Sequence, residues 1–123
     1  MAIIRPKPLK PQTFYRGETF RGRLKIVNTD QTVKDLTGST VRWALLDAAG
    51  VLALPEMSLG SGISFESGNP QLGVLLVTVF DEDTEDLAAG VYQQEWYITD
   101  SITDVGVYRG QIWISDASLW ATA

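Results

Sequence analysis

Residues 33–50 read VKDLTGSTVRWALLDAAG, and the alternation inside this run restricts the architecture more than any other part of the chain. Val41, Trp43 and Leu45 fall on one side of an extended backbone, with Thr40, Arg42 and Ala44 on the other. That period of two is the mark of a half-buried strand. The run is entered through the corner Asp35-Leu36-Thr37-Gly38, where glycine permits backbone angles that a Cβ opposes. It is left through Asp47-Ala48-Ala49-Gly50, a turn signal. A tryptophan-centred strand held between a corner and a hairpin turn is a nucleus for a sandwich core.

The same alternation recurs along the chain. In residues 19–27, Phe20, Gly22, Leu24 and Ile26 oppose Arg21, Arg23 and Lys25. Three cations on one strand face raise a phosphate or acidic-partner hypothesis. The plainer reading is a wet face whose charge discourages edge pairing. A return strand is expected over 51–54, stopped by Pro55, and a loop over 56–62 in which Met57 and Leu59 cover one end of the core. Residues 63–65 form a short strand. Residues 71–80 are apolar on both sides, which predicts a strand covered on two faces. In 91–99, Tyr92, Gln94, Trp96 and Ile98 share a face. In 106–115, Ile112 and Ile114 oppose Trp113.

Residues 81–86 hold five carboxylates in six positions. As a calcium loop the run lacks the mid-loop glycine and the terminal bidentate glutamate. The reading favoured is one helical turn over 83–88, with acids at its N-terminus, Leu87 turned inward and Gly90 ending it.

Strands with turn signals every eight to twelve residues predict an all-β antiparallel sandwich of seven to eight strands, without internal repeat or linker. The sandwich is expected over 12–115, a Pro-rich extended arm over 1–11 and a tail over 116–123. The arm is either a solvated terminus or a partner-reaching segment, with Ile3 and Ile4 as docking side chains.

The 123 residues suit one domain, and 45% hydrophobic with 20% charged residues is an ordinary globular balance. With no cysteine and no histidine, disulfides, thiolate or imidazole metal ligands and histidine-based catalysis are all closed to the chain. A net charge of -5 argues against a nucleic-acid partner. No apolar run reaches the roughly 20 residues of a membrane span. No phosphate loop or nucleophile elbow is present. The reading is therefore non-enzymatic, with no catalytic residue, metal or cofactor, and a soluble protein made in a cytoplasm. Partner contacts are expected at Ile3, Ile4, Pro6, Pro8, Trp113, Leu119 and Trp120. The tryptophans keep one further option open, stacking on a host glycan.

The segments FYRGETFRGRLKI, VKDLTGSTVRWALLDAAG, DTEDLAAGVYQQEWYITD and VYRGQIWIS resemble the small immunoglobulin-like structural proteins of tailed bacteriophages, closest to the N-terminal module of baseplate upper proteins. The resemblance spans about residues 14–115. It implies an immunoglobulin-like β-sandwich that joins virion parts or copies of itself and catalyses nothing, made in a bacterial cytoplasm and resident in the phage particle. The long receptor-binding region usual after such a module is absent from this sequence. The resemblance thus implies a tail, baseplate or connector subunit, with capsid decoration or carbohydrate binding as alternatives.

Overall fold

The structure, a computed structural model, describes residues 7–28, 30–99 and 105–116. Among the described residues nine strands form: β1 (Lys7–Pro8), β2 (Gln12–Tyr15), β3 (Phe20–Lys25), β4 (Thr40–Leu46), β5 (Met57–Leu59), β6 (Gly62–Phe65), β7 (Val74–Val79), β8 (Gly90–Thr99) and β9 (Val105–Ser115). One layer runs β3-β7-β6 and the other runs from β1 and β2 through β9 and β8 to β4. The short β5 joins them, pairing with β4 and with β6.

Alternation sets the layers face to face. Phe20, Leu24, Leu75, Val77 and Val79 from the first layer meet Phe14, Val41, Trp43, Leu45, Trp96, Ile112 and Ile114 from the second. The rings of Phe14 and Phe20 stack at 4.8 Å, and those of Phe20 and Trp43 at 6.1 Å. Trp43 and Trp96 are directly opposed across β4 and β8. This is an immunoglobulin-like β-sandwich by strand order, by the tryptophan buried on β4 and by its tyrosine corner: the Tyr92 hydroxyl donates to the Ala88 carbonyl at 2.7 Å. Gln94, two residues on, stands where antibody domains place a disulfide cysteine. Its Oε1 instead accepts the Trp43 indole N–H at 3.0 Å, with both side chains buried.

The two corners flanking β4 are built as the sequence predicts. Asp35 Oδ1 accepts the Thr37 N–H at 2.9 Å and its hydroxyl at 2.6 Å, Gly38 adopts φ 78°, and Leu36 is fully buried. Asp47 Oδ1 accepts the N–H groups of Ala49 and Val51.

Six expectations change. The helical turn, α1, lies at Asp81–Thr84 rather than 83–88. Buried Thr84 fixes it there, since its hydroxyl donates to Glu18 O at 2.7 Å and accepts the Gly17 N–H at 3.1 Å. Leu87 does enter the core, whereas Gly90 opens β8. The loop expected over 56–62 contains β5, and the strand expected over 51–54 reduces to a bridge from Leu52 to Leu46 and a bond from Ala53 N to Leu45 O. The apolar run 71–80 divides: Pro70–Leu72 is a 3-10 turn, Phe80 is exposed, and on β7 Leu76 and Thr78 are half-covered on the outer face. The sheets are not wholly antiparallel, because β1 and β2 run parallel to β9 and β5 parallel to β6. Finally, the described part of the arm lies on its own domain. Lys7–Pro8 is β1, Leu9 N donates to Arg109 O at 2.8 Å, and Leu9 packs on the core.

Candidate subunit interface

The outward face of β2-β9-β8-β4 gathers the surface features that a partner can use. On β9, Ile112 and Ile114 point into the core at 0% and 2% exposure, so the intervening Trp113 is driven outward and is 46% exposed. Register places Thr13 of β2 on one side of it and Val91 of β8 on the other. Tyr15, beside Ser115 in the next row, is also exposed. Trp113, Val91 and Tyr15 together make an apolar end to this face.

Across Gln111 and Gln93 the face becomes charged. Glu95 Oε1 lies 3.2 Å from Arg109 Nη2. The Arg42 guanidinium sits 5.8 Å from the centroid of the Tyr97 ring and 3.6 Å from Glu56 Oε1. Tyr97, Arg42, Glu56 and Leu52 border a shallow depression of about 380 Å³. These exposed pairs contribute little to folding. They set charged side chains around an aromatic ring, which gives the face a polar rim beside its apolar end.

Of the residues expected to meet partners, Trp113 lies in the apolar end of this face. Pro8 is exposed on β1 beside Arg109, one strand away. Ile3, Ile4, Pro6, Leu119 and Trp120 lie outside the described residues. Val91, Tyr15, Tyr97 and Arg42 were not singled out from sequence. The alternation of β8 already puts Val91 and Tyr97 on the wet side, but their nearness to Trp113 and Arg42 depends on register between strands far apart in the chain.

The carboxylates with lowered pKa values lie elsewhere. Asp35 is held low by the Thr37 hydroxyl and then by its N–H, and Asp30 likewise by Thr32. Glu66 is held low chiefly by its hydrogen bond from Arg23. All three are turn or surface-pair groups. Among the described residues, no cluster of three or more acidic side chains is placed to hold a metal, and no helix is long and apolar enough to cross a membrane.

No protein-family model matches the chain, and no curated protein matches it. Solved structures similar to it include CopC from Methylosinus trichosporium OB3b, at 16% identity over 66% of this chain and 71% of that one, TM-score 0.44. The first immunoglobulin domain of mouse SynCAM 2 is 13% identical over 89% and 94%, TM-score 0.43. A PapD-like domain of human CEP192 is 15% identical over 94% and 86%, TM-score 0.39.

Proposed function

We propose that this chain is a non-enzymatic structural subunit of a bacteriophage virion, a tail, baseplate or connector component that docks on neighbouring subunits through the outer face of β2-β9-β8, assisted by its termini. The observation that carries the proposal is Trp113. Trp43 and Trp96 are spent on the core, while Trp113 is presented on a rigid strand with Val91 and Tyr15 close by. Large aromatics in such a setting are enriched at subunit interfaces, because they bury much area with little loss of rotamer freedom. The virion setting is supported by the sequence resemblance alone.

The test is incorporation into particles. Trp113→Ala is expected to fold normally and to be depleted from purified virions at least about tenfold, the loss of a central aromatic contact. Undiminished incorporation refutes docking through this face. Capsid decoration differs only in where the subunit sits, which labelling on the particle reads directly. A glycan-binding reading is favoured by the exposed indole of Trp113. It predicts retardation in polysaccharide affinity gels that Trp113→Ala abolishes.

A further inference from the structure

The β3-β7-β6 layer ends on β3, and no described residue pairs with the outer edge of that strand. Just beyond the strand, Ile26 N donates to Gly73 O at 2.8 Å, toward the β7 side. Backbone groups of an antiparallel strand alternate in direction. Phe20, Gly22 and Leu24 therefore turn their N–H and C=O groups to β7, and Arg21, Arg23 and Lys25 turn theirs outward. The side chains of those same three residues stand on the exposed outer face. Arg23 is paired with Glu66 at 3.1 Å, while Arg21 has no ion pair among the described residues.

The strand borders an open side of the sandwich. Because β2 pairs with β9 and not with β3, a groove of about 490 Å³ remains between Gln12, Thr13 and Phe14 on one bank and Thr19, Phe20 and Arg21 on the other.

We propose that the β3 edge accepts an extended acidic segment of another protein as an added strand. The free backbone groups supply pairing to any extended chain, and the cations choose among chains. A strand with carboxylates at alternate positions sets them beside Arg21, Arg23 and Lys25. A second copy of β3 fails by the same rule, since it opposes cations with cations. The arm of a second copy, with Arg5, Lys7 and Lys10, has the wrong sign as well. This edge belongs to the layer opposite that of Trp113, so the proposal stands apart from docking through the Trp113 face.

Amide exchange of the full chain, followed residue by residue by NMR, tests it, with a ten-residue peptide alternating glutamate and valine as probe and a lysine–valine peptide as control. In the free protein the amides of Arg21, Arg23 and Lys25 are expected to exchange fast and those of Gly22 and Leu24 slowly. Excess acidic peptide is expected to slow the three outward amides about tenfold or more, less so at high salt. The basic peptide is expected to leave them unchanged. Arg21→Pro removes one outward donor without touching the β7 ladder. It is expected to abolish the slowing at Arg23 and Lys25. If that variant fails to fold, Arg21→Glu with Lys25→Glu is expected to reverse the preference toward the basic peptide. The proposal is overturned if the acidic peptide leaves the three amides at their free rates, if both peptides protect equally, or if the folded variants bind as the wild type does.

Discussion

Gln94→Met is the sharpest probe of how this core replaces a disulfide. The substitution keeps the length and roughly the volume of the side chain and removes the acceptor that the Trp43 indole N–H reaches at 3.0 Å. Trp43 and Gln94 are only 1% and 2% exposed, so water cannot substitute. Stranding a buried donor costs about 1–3 kcal/mol. A domain of 123 residues unfolds with an entropy near 0.26 kcal/mol/K, so the melting temperature is expected to fall by about 4–12 °C. Trp43→Phe removes the donor and leaves the glutamine unpaired, along with a small cavity. In the double variant neither polar partner is stranded, so the two losses are expected to be less than additive by at least about 0.5 kcal/mol. Calorimetric melts of the four proteins measure the cycle. A Gln94→Met shift under about 1 °C, or strict additivity, refutes the claim that this bond ties β4 to β8.

Other consequences are as direct. In a Trp120→Phe background, iodide is expected to quench one class of tryptophan emission, Trp113, and to leave Trp43 and Trp96 shielded; uniform shielding would contradict the exposed position of Trp113. Gly73 adopts φ 68°, and a Cβ there meets Lys34 O at 2.8 Å and Ile26 O at 2.9 Å, so Gly73→Ala is expected to cost more than about 1 kcal/mol in urea melts. Asp30, Asp35 and Glu66 have folded pKa values below their unfolded ones. Their stabilisation is therefore complete above the unfolded carboxylate pKa of about 4 and is lost as pH falls through the folded values. Stability is expected to hold from pH 7 to about 5 and to decline below about 4, less steeply in Asp35→Asn; identical slopes would remove Asp35 from the account.

What the sequence discloses follows from periodicity. Strands β3, β4, β8 and β9 each have one wet face, so Arg21, Arg42, Val91 and Trp113 announce which side is outside, and the core follows. The corner at Asp35 and the turn at Asp47 are legible because a short carboxylate closes each on nearby backbone. Register is not local, and whatever depends on it stays hidden. The bond between Trp43 and Gln94 joins residues 51 apart, and the meeting of Arg42 with Tyr97 and Glu56 requires β4, β5 and β8 in place. Strand β5 is too short to show alternation. The position of α1 was set by Thr84 reaching the turn before β3, a tertiary anchor that outweighs the acid pattern of 81–86. The docking of Lys7–Pro8 on β9 is a pairing between opposite ends of the chain.

The central claim, an inert sandwich that works by being gripped on one face, is most directly tested by a photocross-linking residue placed at position 113 in assembled particles. The account predicts a cross-link to a neighbouring virion subunit or a second copy of this chain, absent when the cross-linker is placed at Asp83 on α1. A subunit present in the particle whose position 113 captures nothing would contradict it.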